Sequence, residues 1–147
     1  MGKRHMRWSL PSEYPKLYIQ FLHYFNKERD YYECHEVLEA LWLEEGRHPF
    51  YQGLLQVAVG LYHFRNGNVN GAIKLFRSAL AKLKPFTNDS LGIDLGKLKS
   101  DTRRYLSQLE QYQNQPFAFY DLTIDITDPR LRQLVDKVEP SPPFDPT

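Results

Sequence analysis

Tyr51-Gln52-Gly53-Leu54-Leu55-Gln56-Val57-Ala58-Val59-Gly60-Leu61-Tyr62-His63-Phe64 is the stretch that decides the fold. On a wheel of ~100° per residue, Leu54, Leu55, Val57, Ala58, Leu61, Tyr62 and Phe64 point in nearly every direction. A helix that is apolar all round is expected to be buried on all sides. Within it Gln52, Gln56 and His63, with Val59 between them, fall into one stripe roughly 40° wide. A polar group left unpaired in a core costs ~1–3 kcal/mol, so the stripe is expected to have partners. Gly53 and Gly60 lie on one edge of it and lack the Cβ that would hold another backbone away.

The segment before it supplies the partners. Tyr31-Tyr32-Glu33-Cys34-His35-Glu36-Val37-Leu38-Glu39-Ala40-Leu41-Trp42 reads as a helix with Cys34, Leu38, Leu41 and Trp42 on its apolar face. His35 and Glu39 stand one turn apart at the margin of that face, flanked by Tyr32 and Glu36. Acids and an imidazole are thereby aimed at the seam where Gln52, Gln56 and His63 need company.

Outward from this pair the chain reads as helices throughout. Pro11-Ser12-Glu13 opens one whose apolar side is Leu17, Phe21, Tyr24 and Phe25, with Ser12 as N-cap and His23 at the surface. Asn26 to Asp30 is a polar turn, and Asp30 caps the Tyr31–Glu45 helix. Gly46 stops that helix, and Pro49 starts the next, where a missing N–H is harmless. Asn66-Gly67-Asn68 is the sharpest turn signal. It leads into a helix of about Val69 to Lys84 and makes an antiparallel hairpin, with Gly71-Ala72 allowing close packing. After the linker from Pro85, an amphipathic helix spans about Asp94 to Gln113. Phe117 to Ile126 alternates in the strand manner without a partner strand, and is expected to lie across the helices. Asp128-Pro129 caps a short helix to about Val138. The expectation is an all-α, compact bundle of about five helices with an irregular C-terminal extension. Residues 1–147 form one helical domain: a core at 25–84, a C-terminal helix and wrap at 94–138, and a disordered tail at 139–147. Trp8 and Leu10 of the basic N-terminal arm are expected to dock onto the body, and Trp42 to belong to the core.

Composition narrows the function classes. The 147 residues carry 19 Lys and Arg against 18 Asp and Glu, a net charge of +1. That balance offers no electrostatic footprint for nucleic acid or an anionic membrane. No apolar run approaches the ~20 residues of a membrane span, and no signal-type apolar core follows the basic Met1 to Arg7. One cysteine, Cys34, excludes an internal disulfide and fits a reducing, cytoplasmic setting. Arg29 and His35 share a spacing found in some small helical nucleases, but the near-neutral charge argues against RNA.

The residues Tyr31 to Trp42, then Gln52-Gly53-Leu54-Leu55-Gln56, Gly60-Leu61-Tyr62-His63, Gly67-Asn68 and Gly71-Ala72 resemble the signature of a family of unknown function. This is the bacterial and archaeal domain-of-unknown-function family numbered 309. Where the family commonly has alanine between the Glu and the His, this chain has Cys34. The resemblance implies a small all-helical protein. A metal-dependent hydrolase activity has also been suggested for such proteins.

Three readings of the seam follow. In the first, His35, Glu36, Glu39 and His63 bind a divalent metal, since imidazole with carboxylates suits Zn, Fe or Mn. Such an ion turns a bound water into a nucleophile, with Glu36 or Glu39 as catalytic base. Glu39 stands where the helical metalloprotease motif would have its second His, so that motif is absent. In the second, the same groups form a buried structural network, with Glu36 or Glu39 accepting from Gln52 and Gln56 and fixing helix register. In the third, the seam floors a cleft for a small ligand or a protein partner, built with Tyr32, Gln52 and Gln56. Tyr31, Tyr51 or Tyr62 would close the cleft, and the Phe117 to Tyr120 string would serve as a lid. Whether the site catalyses, and whether the chain self-associates as a homo-oligomer, is left open by the sequence.

Overall fold

The structure, a computed structural model, describes residues 13–142. The expected docking of Trp8 and Leu10, the Ser12 cap and the tail beyond 142 lie outside the described residues. Within them the helices run α1 Lys16–His23, α2 Tyr31–Glu44, α3 Pro49–Arg65, α4 Val69–Leu83, α5 Leu95–Glu110 and α6 Pro129–Asp136. The fold is all-α. No helix among the described residues is long and apolar enough to cross a membrane.

The helix ends follow local chemistry. Asp30 accepts from the Glu33 amide, Asn68 from Gly71, Asp94 from Lys97 and Asp128 from Arg130, each satisfying an amide that no carbonyl can reach. His48 caps α3 ahead of Pro49, its side chain accepting from the Phe50 amide. The first helix starts later than Ser12 suggested. Pro15 occupies its N-cap position in an extended conformation, φ −61° and ψ 144°, and a proline disfavours helix in the residue before it. The polar turn is also more than a turn. Tyr24–Glu28 continues α1 as a wider π-type turn, closed by Arg29 in the left-handed region at φ 55°.

Helix α3 is the central element, packing against α2 on one side and α4 on the other; α4 meets α5, and α1 meets α2 and α6. The small residues of α3 set its approach to α4. A Cβ on Gly60 would stand 2.6 Å from Cε1 of Phe76, and one on Gly53 would stand 2.7 Å from Leu83 Cδ2. It is therefore side chains of α4, with the Ala79 carbonyl 3.5 Å from that same Gly53 position, that fill the space, rather than a bare backbone. Gly71 does something different from the expected helix contact: a Cβ there would strike the side chain of its own capping residue, Asn68.

The segment after Phe117 is extended, and its one described β contact is an isolated antiparallel bridge between Ile126 and Ile93. It is strapped across the helices by polar groups of the π-type turn. Asn26 donates to the Ile124 carbonyl at 2.8 Å and accepts from the Ile124 amide at 2.8 Å. Arg29 donates to the Leu122 carbonyl and to Thr123 Oγ1. Tyr105 adds a donor to the Tyr120 carbonyl and stacks on the Tyr120 ring at 4.3 Å.

His23 corrects the sequence reading. It is buried, at 3 % exposure, and its Nε2 pairs with Glu28. A histidine expected to be a surface residue is drawn inside because the wide turn brings the acid five positions on round to its ring. Glu28 also accepts from the Ser141 amide at 2.9 Å; although burial opposes its ionisation, these contacts hold its carboxyl below the usual range.

Candidate functional site

Among the described residues no other element covers the outer face of the α2–α3 pair. The neighbours of α3 take its flanks, and those of α2 take the side carrying Tyr31, Cys34, Leu38 and Leu41, all fully buried. Gln52, Leu55, Gln56, Val59, Tyr62 and His63 are consequently only half-buried, while Tyr32, Glu36 and Glu39 are exposed. This overturns the expectation of a helix buried on all sides and of a buried polar seam. The periodicity of α3 shows which residues share a face, but not whether another element lies on it.

Two groupings form on this face, and His35 belongs to both. His35, Glu36 and Glu39 each offer one ligand atom, and these lie within 4.8 Å of one another. His35 Nδ1 is 3.7 Å from Glu36 Oε2, with side-chain exposures of 37 % and 44 %. Ligands around one tetrahedral ion at ~2.1 Å would stand about 3.4 Å apart. The set therefore needs to close by roughly an ångström, within reach of exposed side chains free to change rotamer. The i, i+4 spacing of His35 and Glu39 puts them on one face, and Glu36 follows beside them. Three protein ligands would leave a further position open to solvent, as catalytic metal sites do.

The second grouping is a small cleft of about 160 Å³ lined by Tyr31, Tyr32, His35, Val59, Tyr62 and His63. The Tyr32 and Tyr62 rings stand 6.2 Å apart across it, and Tyr32 and His35 6.4 Å apart along α2. Tyr31 forms the inner wall. Its hydroxyl donates to Asp121 on the strap, and burial with that carboxylate pushes its pKa well up. Arg65 covers the far side of the Tyr31 ring, 4.9 Å from its centroid.

The structure sorts the candidates accordingly. His35, Glu36 and Glu39 come together as expected. His63 stands instead at the cleft wall, with Nδ1 3.3 Å from the Asn68 amide nitrogen, and contributes no atom to the three-residue ligand group. Gln52 and Gln56 do not line the cleft, Gln56 Oε1 accepts no hydrogen bond, and no hydrogen bond from either glutamine to Glu36 or Glu39 is found among the described residues. The expected donation from Gln56 to an acid is thus not seen, and the exposure of both acids removes the need for a register-fixing network. Tyr51 is fully buried, packed beside Tyr18 and His48, and is no part of the cleft. The Phe117 to Tyr120 string packs against Phe64, Tyr105 and Tyr112, with Phe119 6.3 Å from the Tyr31 ring, and none of its residues lines the cleft. Trp42 is half-buried, not core, with Arg47 over its ring at 5.0 Å and its Nε1 without a partner among the described residues. Arg29, of the nuclease-like spacing, is engaged by the strap. Cys34 is buried and its thiol is pushed up by burial, then by Asp30 and Glu33, so it is no nucleophile.

Comparison with known proteins agrees with the resemblance of the helical core. The chain is 34 % identical over 125 residues to the uncharacterized protein YpuF of Bacillus subtilis (strain 168), covering 82 % of this chain and 70 % of that one. It is 29 % identical over 96 residues to an uncharacterized protein of Aquifex aeolicus (strain VF5), covering 63 % of this chain but only 28 % of that longer protein. A family profile matches residues 18–75, which hold α2, α3 and both groupings of the open face. The chain belongs to the family described as Domain of unknown function (DUF309).

Proposed function

We propose that the open face of α2 and α3 is a cation-assisted binding site for a small molecule. His35, Glu36 and Glu39 supply the ligands for a divalent cation, Zn, Fe or Mn, and the adjoining cleft takes an apolar or aromatic part of the bound molecule. The observation that supports this reading is the double membership of His35, which puts the ligand group against the wall of a cleft built largely of tyrosine and histidine rings. A bound divalent ion supplies Lewis acidity and acidifies water at neutral pH. Around it, Tyr32 and Tyr62 hold an aromatic or aliphatic group between their rings. A water at the position left open by these three ligands would be the nucleophile, which makes metal-assisted hydrolysis the reaction class to test first.

The test is elemental analysis of protein purified without a chelating tag, alongside His35→Ala and Glu39→Gln. Near-stoichiometric metal in the wild type, lost in both variants with melting temperature unchanged, is the expected result. Wild-type protein that takes up no stoichiometric Zn, Fe or Mn when supplied with each overturns the proposal. A second reading, a protein-interaction module, is favoured by Tyr32 and Leu43. They are 54 % and 51 % exposed and eleven positions apart on α2, hence on one face. In that case Tyr32→Ala and Leu43→Ala abolish a protein complex while metal content stays unchanged.

A further inference from the structure

A second site lies on the other side of the molecule's helical layer, where α4 and α5 meet. Leu80, Ala81, Lys84, Asn88, Lys99 and Arg103 line an open cleft of about 550 Å³. No carboxylate is among them. Among the described residues none of the three cations takes part in an ion pair, although the exposed Lys97, Arg77 and Arg104 nearby in sequence all do.

Lys99 is the unusual member. It sits on the apolar face of α5, in register with Leu95, Leu98 and Thr102, and is only 9 % exposed. Its aliphatic stem packs into that face while the ammonium reaches the cleft, and a cation there without a counter-ion is less favourable than an apolar residue. Here Nζ donates to the Phe86 carbonyl at 2.7 Å and reaches Asn88 Oδ1 at 3.4 Å. Both are neutral acceptors, and an ammonium has three donors. The linker between α4 and α5 therefore holds Lys99 by two of its protons. Burial and the neighbouring Arg103 push its pKa down, which a bound anion would reverse.

We propose that this cleft binds the phosphoryl group of a small phosphorylated molecule. Lys99 supplies a point charge from the floor and Arg103 a planar fork suited to two phosphate oxygens, with Lys84 at the rim. Leu80 and Ala81 give the attached group an apolar surface. The occupant is small rather than polymeric, because the whole chain carries a net charge of only +1, too little for the extended basic surface that a polyanion needs.

The experiment is titration of the full chain with inorganic phosphate and with pyrophosphate, followed by calorimetry and by the ³¹P line width. Saturable one-to-one binding is expected, weakened about tenfold or more in Arg103→Gln and in Lys99→Gln. Binding should be unaffected in Arg77→Gln, whose guanidinium pairs with Glu110 away from the cleft. Arg103 is exposed, so its variant remains informative if Lys99→Gln folds poorly. No saturation by either anion up to about 10 mM, or binding untouched by Arg103→Gln, overturns the proposal. So does a single-stranded oligonucleotide that binds more tightly than pyrophosphate and is lost in the same variants.

Discussion

Replacing Asn26 by alanine should loosen the C-terminal strap and cost a measurable part of the fold's stability. Asn26 spends both ends of its amide on one residue, donating to the Ile124 carbonyl and accepting from the Ile124 amide, each at 2.8 Å. Ile124 is almost completely buried, and its two backbone bonds to Asn26 are themselves part-buried at the edge of an open cleft. A buried group stripped of its partner costs about 1–3 kcal/mol, which for two groups gives about 2–6 kcal/mol. The strap can peel locally and hydrate, and Arg29 keeps its hold on Leu122 and Thr123, so the lower end, about 2–3 kcal/mol, is expected. At about 2–4 °C per kcal/mol for a chain of this size, the melting temperature should fall by roughly 4–12 °C. Asn26→Asp should do no better, because it keeps the acceptor but sets a charge against the Ile124 carbonyl. Circular dichroism gives the melting temperature, and amide exchange reports on Ile124 directly. A shift under about 1 °C with Ile124 still protected would refute the reasoning.

Other perturbations test separate parts of the structure. Burial raises the pKa of Tyr18, Tyr31, Tyr51 and Tyr105, and burial with the Asp128 hydrogen bond pushes Tyr14 up to about 12. Groups whose folded pKa lies above the unfolded value stabilise fully below about pH 10 and lose that contribution above it. Stability should therefore hold through neutral pH and fall steeply past pH 10, with late phenolate absorbance at 295 nm coinciding with unfolding; early, complete titration at pH 10 in folded protein would contradict this. Gly60→Ala places a Cβ against the Phe76 ring. The overpacking cost of about 1–3 kcal/mol should outweigh the helix-propensity gain of about 1 kcal/mol, and Phe76→Leu should restore the loss in urea unfolding. Tyr32→Ala should leave the urea midpoint within about 0.5 kcal/mol of wild type, since Tyr32 is exposed, while removing one wall of the cleft. A large destabilisation would mean that the ring is structural.

Element boundaries and caps were legible in the sequence because they depend on neighbours a few residues away. Asp30 and Asp128 each cap the helix that the sequence assigns to them. Pro15 shows the limit of that reading: it stands at the N-cap of α1, three positions after the residue that the sequence offers. Burial was less legible. The stripe of Gln52, Gln56 and His63 is real, but a wheel drawn on one helix cannot say that no other helix lies on it. The grouping of His35, Glu36 and Glu39 could be read, because it is made within two turns of one helix. The separation of His63 could not, because it depends on how α3 is rotated against α2. Asn26 and Arg29 passed for ordinary turn residues, since their partners are roughly a hundred positions away. Lys99 does leave a signal in the sequence, a cation at an apolar position of the α5 wheel.

The claim on which this account rests, that His35, Glu36 and Glu39 form a cation site, is tested most directly by anomalous diffraction from crystals grown with Mn²⁺ or Zn²⁺. The account predicts a peak within about 2.0–2.2 Å of a His35 ring nitrogen and a Glu39 or Glu36 carboxylate oxygen, with the mouth of the Tyr32–Tyr62 cleft beside it. A fully occupied ion elsewhere on the chain, with these three side chains unligated, would contradict it.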